Sequence, residues 1–215
     1  GGMVNAPPVA MNDSYNLLED ESLSVNSEIG LLENDQDPNG DVLSIQISEN
    51  VTHGELAIVE NGSFTYTPAQ DYFGNDSFTY RAFDGAEWSG IATVQLIIGS
   101  VNDPPAMFAL EAPATESVIT IDYSNLGDSI HFSWAEASDV DGDEVFYQFS
   151  FSENLAGIEI PLLSESSITV GYQDISEALI DYGIANVSWQ VIAYDETDST
   201  LSSNGPFSIT INTSP

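Results

Sequence analysis

"VNDPPA" at residues 101–106 nearly repeats "VNAPPV" at residues 4–9. The two double prolines begin 97 residues apart (104 − 7), and 111 residues follow the second start (215 − 104). A spacing near 100 residues is the size of a small sandwich domain. The stretch therefore reads as a joint placed before each of two domains, spanning residues 1–101 and 102–215. Consecutive prolines fix φ and favour extended polyproline geometry, so the joint is expected to be stiff.

Outward from the joint, apolar and polar residues alternate, with turn signals every ten residues or so. "DVLSIQIS" sets Val42, Ser44 and Gln46 against Leu43, Ile45 and Ile47. "GELAIVENGSFTYTP" reads as two strands around Asn61-Gly62, a dipeptide suited to a type I′ hairpin turn. In the second half, "SIHFSW" puts Ile130, Phe132 and Trp134 on one face and His131 on the other. "NVSWQVIAY" does the same for Val187, Trp189, Val191 and Ala193. "DISEALIDYG" (174–183) predicts a helical turn with an Asp cap and a Gly stop. The expected fold is all-β: two tandem Ig-like Greek-key β-sandwiches joined by a short Pro-rich linker.

The charge is extreme. Asp and Glu total 35, Lys and Arg total one (Arg81), and the formal net charge is −34 in 215 residues. A polyanion is repelled by phosphate backbones and anionic lipid, so no nucleic-acid partner is expected. No apolar run approaches the ~18 residues that span a membrane, so no direct membrane insertion is expected either. High salt or bound multivalent cations would each relieve the self-repulsion. The absence of cysteine removes disulfides and thiolate metal sites. The opening Gly-Gly-Met lacks signal-peptide character, which suggests a piece of something larger.

Most acids read as a solvated surface, but two loops concentrate them. "NDQDPNGD" holds Asp35, Asp37 and Asp41; "SDVDGDE" holds Asp139, Asp141 and Asp143. Two unit charges at ~4 Å repel by about 4 kcal/mol at an effective dielectric near 20. Calcium relieves this by taking six to eight oxygens from carboxylates, amides and carbonyls. In an extended loop, residues two apart point the same way, so Asp-x-Asp offers two carboxylates to one ion. The B–C and F–G loops of an Ig-like sandwich lie at one end. That topology brings Asp195 of "AYD" and the linker residues Asn102 and Asp103 beside the second loop. It brings Asp84 of "AFD" and Asn5 beside the first.

"ASDVD", the later "AYD" and "AFD", and the Val-Asn-Asp-Pro linker resemble the calcium-binding pattern of cadherin domains. Over residues 4–103, "GLLENDQDPNGDVL", "HGELAIVENGSFTYTP" and "FGNDSFTYRAFDG" resemble the cadherin-like tandem repeat of bacterial surface adhesins. "IHFSWAEASDVDGDEVFYQFSFS" and "VSWQVIAYDE" are similar to a bacterial fibronectin type III-like sandwich. The resemblance implies Ca2+ shared across the joint with acids at the bottom of the first domain, Glu19 or Asp20 and Asp71 or Asp76. The linker carries Pro where cadherins carry a third Asn or Asp, which implies one or two ions instead of three.

"DQDPNG" also opens like an EF-hand loop. Its twelfth position would be Gln46, where a bidentate Glu is needed, and β patterns flank it. Catalytic residues are not expected: His53 and His131 read as surface histidines, and Trp134 and Trp189 as core. Of the three tryptophans, Trp88, in the "DGAEWSG" loop, is the one to test for ligand contact. The sequence thus points to calcium-stiffened extender modules of a large extracellular, secreted or cell-surface protein. Their partners would be neighbouring repeats of the same polypeptide, with cell-surface or polysaccharide ligands engaged through other domains. The alternative is an accessory carbohydrate-binding module. A third possibility is acidity suited only to high salt, without specific sites.

Overall fold

A computed structural model describes residues 4–152, 155, 157–179 and 183–214. The chain divides into two compact units, Gly1–Val101 and Asn102–Pro215.

Unit 1 contains β1 (Asp13–Leu18), β2 (Leu23–Val25), β3 (Ser44–Glu49), β4 (Gly54–Ile58), β5 (Phe64–Pro68), β6 (Gly74–Phe83) and β7 (Ala92–Gly99). They form two sheets ordered β1-β7-β6-β3 and β2-β5-β4. β1 runs parallel to β7, and the pairs β6–β7, β3–β6, β2–β5 and β4–β5 are antiparallel. Alternation along β6 sends Phe78, Tyr80 and Ala82 inward and Thr79 and Arg81 outward. Phe78 and Tyr80 meet Val25, Leu31, Phe64, Tyr66, Val94 and Leu96 in one core.

The β4–β5 hairpin differs from expectation. Gly62 has φ 82, but Asn61 does not have positive φ, as a type I′ turn requires. Gly62 N donates to Val59 O and Val59 N to Ser63 O, both at 2.9 Å. This is a turn closed by a left-handed glycine, the three-residue hairpin loop. Asn61 stays at negative φ because its Oδ1 accepts from Ser63 N (3.1 Å) and Ser63 Oγ (2.7 Å).

Unit 2 contains β8 (Leu110–Ala112), β9 (Ser117–Ile121), β10 (Ser129–Trp134), β11 (Phe146–Phe151) and β12 (Ser167–Gly171). After the helix α1 (Tyr172–Ala178) come β13 (Gly183–Tyr194), β14 (Ser199–Leu201) and β15 (Phe207–Thr213). Its sheets are ordered β12-β10-β8 and β11-β13-β15-β9, with β14 on β13. Trp134 and Trp189 are both core residues, and Trp189 stacks on Phe149 at 5.6 Å. Burying an indole removes roughly 200 Å² from water, worth about 5 kcal/mol at 25 cal/mol per Å².

The helix is shifted from its expected place. It starts at Tyr172, with Gly171 at the cap position and Asp174 inside the first turn, where a negative charge faces the positive end of the helix dipole. Gly183 opens β13, so it is not a helix stop. Residues 180–182 of the expected helix lie outside the described residues.

Candidate cation sites

In unit 2 the loop between β10 and β11 folds around one carboxylate. Asp139 Oδ1 accepts from Asp141 N at 2.9 Å and Asp143 N at 3.3 Å. The tight return needs positive φ at Gly142 (φ 85), which glycine adopts without steric cost. Asp139 Oδ2 is buried and has no hydrogen-bond partner. Leaving such an oxygen unsatisfied costs about 1–3 kcal/mol. Asp141 Oδ2 accepts from Asp103 N at 2.8 Å, which ties the leading segment of the unit to this loop.

The end of β13 supplies the other wall. Asp195 Oδ1 accepts from Thr197 N and Asp198 N, both at 2.6 Å. Asn102 Nδ2 donates to Asp195 Oδ2 at 3.3 Å and to Asp198 Oδ2 at 3.1 Å. Burial pushes the Asp195 carboxyl up, but the N–H groups of Asp198 and Thr197 and the Asn102 amide outweigh it, so its pKa lies below the usual value. Asp143 shifts the other way. Desolvation raises its pKa, and the charges of Asp139, Asp141, Glu196 and Asp195 raise it further.

Unit 1 builds the same arrangement from its own residues. Asp37 Oδ1 accepts from Asn39 N at 2.8 Å and Asp41 N at 3.0 Å, Gly40 has φ 81, and Asp37 Oδ2 is buried without a partner. Asn39 Oδ1 accepts from Ala6 N at 2.8 Å, in the place of Asp141 and Asp103. Asp84 Oδ1 accepts from Ala86 N and Glu87 N at 2.7 Å. Asn5 Nδ2 donates to Asp84 Oδ2 at 3.0 Å and Glu87 Oε2 at 3.1 Å. The Glu87 N–H and then the Asn5 amide hold the Asp84 pKa below the usual carboxylate value.

Asp35 does not belong to this set, although its place in "NDQDPNGD" grouped it there. Met11 N donates to its Oδ1 at 2.7 Å, and the Tyr80 hydroxyl lies 3.1 Å from both of its oxygens. The same hydroxyl lies 3.3 Å from Asp13 Oδ2. The unit 2 residue at the matching place is Ala137, whose N–H donates to the Tyr147 hydroxyl at 2.8 Å. Asp41 joins through its backbone N–H.

Three residues that sequence reading passed over complete the two walls: Asn39, Glu87 and Asp198. Glu87 and Asp198 each sit three residues after the Ala-x-Asp carboxylate, in "AFDGAE" and "AYDETD". That shared spacing was the available signal.

The opposite end of unit 1 holds a separate group. Glu19 is 1% exposed; its Oε1 accepts from Val101 N at 2.7 Å, and its Oε2 has no hydrogen-bond partner. Asp20 and Asp71 have φ 61 and 54, and carboxylate oxygens of the two lie within 4.8 Å of each other. Asp76 is apart from them, enclosed by donors from Thr52, His53, Tyr66 and Ser77. Among the described residues the one close approach of a basic nitrogen to a carboxylate is His53 to Asp76 at 3.9 Å.

Residues 5–100 match the family described as the bacterial cadherin-like domain. Among curated proteins, the Arabidopsis thaliana protein Gamete expressed 2 is 34% identical over 116 residues, 54% of this chain and 12% of that protein. The chain therefore spans about an eighth of that relative's length. Among solved structures, Drosophila N-cadherin EC1-4 is 13% identical with a TM-score of 0.56, covering 98% of this chain and 50% of that one. Mouse cadherin-23 EC22-24 is 16% identical with a TM-score of 0.55, covering 98% and 67%. At these identities the likeness is one of fold.

Proposed function

We propose, from the premise that residues 5–100 form a bacterial cadherin-like domain, that the chain is a pair of calcium-binding structural modules from a larger extracellular or cell-surface adhesive protein. The observation that carries this reading is the repeated nest. Asp37 and Asp139 each turn one oxygen to loop N–H groups and leave the other buried without a donor. A buried carboxylate oxygen without a donor is suited to a cation.

The donor set selects the kind of cation. Every group on offer is an oxygen of Asp, Glu, Asn or backbone, the set of a hard ion such as Ca2+. In unit 2, Asp139, Asp141, Asp143, Asp195 and Asp198 would hold it with Asn102 and Asp103. In unit 1, Asp37, Asp41, Asp84 and Glu87 would do so with Asn5 and Asn39. Rotating the Asn5 or Asn102 amide turns its carbonyl oxygen to where its nitrogen now lies. Glu19, Asp20 and Asp71 offer further carboxylates at the far end of unit 1.

The mechanism is electrostatic. The ion neutralises carboxylates that otherwise repel, and so fastens the leading segment of each unit to its own loops. Segments fastened in this way leave little freedom where one module follows another, which suits an extender of a long adhesin. Extracellular modules bind calcium at about 0.1–1 mM, adequate where the ion is millimolar.

The test is thermal melting in calcium and in magnesium at matched ionic strength, on the wild type, Asp37→Asn and Asp139→Asn. Calcium is expected to raise the melting temperature more than magnesium does, with each variant losing part of the gain. Equal shifts from both ions in all three proteins would remove the proposal and leave unspecific salt stabilisation.

A further inference from the structure

The solvent face of the β1-β7-β6-β3 sheet carries a group of side chains that neither the core nor the acidic nests use. Phe83 and Arg81 point outward from β6. Ser44 and Gln46 stand opposite them on β3. From the β6–β7 hairpin, Trp88 pairs with Phe83 through an isolated bridge and stacks on its ring at 4.4 Å, with the planes at 29°. One face of the indole is thereby covered, and the side chain remains 42% exposed. The result is a rigid, open aromatic plate beside a strip of uncharged polar groups and one guanidinium.

Arg81 sharpens the point. It is the sole Lys or Arg in a chain with 35 acids, yet among the described residues no carboxylate lies within salt-bridge distance of it. Arg81 is exposed, and its guanidinium carries five N–H donors in a fixed fork.

From this we infer that the face binds a neutral saccharide, one sugar ring lying on Trp88 and its hydroxyls meeting Arg81, Gln46 and Ser44. A pyranose ring has an apolar C–H face that packs on an aromatic plate and equatorial hydroxyls that point sideways, toward donors and acceptors at the plate's edge. Charge selects the neutral class. Asp84 and Glu87 sit in the same hairpin as Trp88, and the chain carries −34, so a uronate or sulfated chain meets repulsion along its whole approach. The same field disfavours the acidic surface of a second copy. If Trp88 served only to staple the hairpin, burial against Phe83 would suffice and no ligand would follow.

The charge selection leans on Asp84 and Glu87, which the proposed calcium site also uses, so the reading is tested on the intact chain both with and without calcium. Trp88 is the one tryptophan of unit 1, while Trp134 and Trp189 are buried in unit 2, so a ligand on the plate changes the fluorescence of an exposed indole. The probes are neutral hexasaccharides of β-1,4-glucan, β-1,3-glucan, mannan and galactan, with an oligouronate as the charged comparison. At least one neutral probe is expected to give a saturable change. Trp88→Ala should weaken that probe roughly tenfold or more and Arg81→Gln about threefold, read by calorimetry, with Trp88→Phe retaining part of the binding and all variants melting as the wild type does. Failure of every neutral probe, tighter binding of the oligouronate, or unchanged affinity in a folded Trp88→Ala each overturns the inference.

Discussion

The amide nitrogen of Asn102 lies 3.3 Å from Asp195 Oδ2, across 93 residues of chain, and Asn5 holds Asp84 at 3.0 Å across 79. In both units the first residues are fastened to the turn after the long central strand. Asn102→Ala removes a charge-assisted donor from a carboxylate that is only 8% exposed. The expected cost to unit 2 is about 1–2 kcal/mol, with weaker calcium binding as well. Calorimetric unfolding with and without calcium would show it; unchanged melting and affinity would mean the amide is incidental.

The two nests should not bind equally. Unit 1 has Ala6 and Asn39 at the places where unit 2 has Asp103 and Asp141. Affinity in oxygen cages rises with the number of charged ligands. Calcium titration should therefore resolve a tighter phase that Asp139→Asn abolishes and a weaker one that Asp37→Asn abolishes. The reverse assignment would show that carboxylate count does not set the order.

Asp76 is a structural knot. Its Oδ1 accepts from Thr52 N, Thr52 Oγ1 and Ser77 N, and its Oδ2 from His53 N and the Tyr66 hydroxyl. Burial pushes its pKa up, but these donors, led by the Thr52 and His53 N–H groups, bring it below the usual value. Asp76→Asn turns an amide N–H₂ toward N–H and O–H groups and should destabilise unit 1 by about 3 kcal/mol. Denaturant unfolding measures this, and a loss under about 1 kcal/mol would contradict the role.

Asp13 behaves oppositely. Burial, then the nearby charge of Asp35, raises its pKa from 3.8 to about 6, against the lowering effect of hydrogen bonds from Tyr80 and Asn34. The folded state then holds a proton that the unfolded state releases between pH 3.8 and about 6. The stabilisation from this group is complete below that window and is lost as pH rises through it. Asp13→Asn should therefore stabilise unit 1 at pH 7.5, by on the order of 2 kcal/mol, and leave stability near pH 4 unchanged. A variant no more stable than wild type at pH 7.5 would show that the burial is not costly.

The loops that hold the nests were legible because Asp-x-Asp and Ala-x-Asp are local patterns a few residues long. Asp35 shows the limit of that reading. Two positions from Asp37 it looks like the same cluster, but β6 delivers the Tyr80 hydroxyl to it from 45 residues away. The Asn61-Gly62 hairpin shows a second limit. The dipeptide marks the turn, while the Asn61 side chain, by accepting from Ser63, decides which turn forms.

By itself the sequence determined an all-β chain, the buried faces of the strands and the acidic loops. Each of these follows from alternation or from charge repulsion between near neighbours. Only the tertiary structure decided which oxygens share a place, because that depends on how the sandwich brings distant loops together. Loops and leading segments at the strand ends bring Asp84 to Asn5 and Asp195 to Asn102, draw Glu87 and Asp198 in, and leave Asp35 with Met11 and Tyr80. A residue's neighbours across a sheet are fixed by the packing of the whole sandwich, and no short stretch of sequence encodes them.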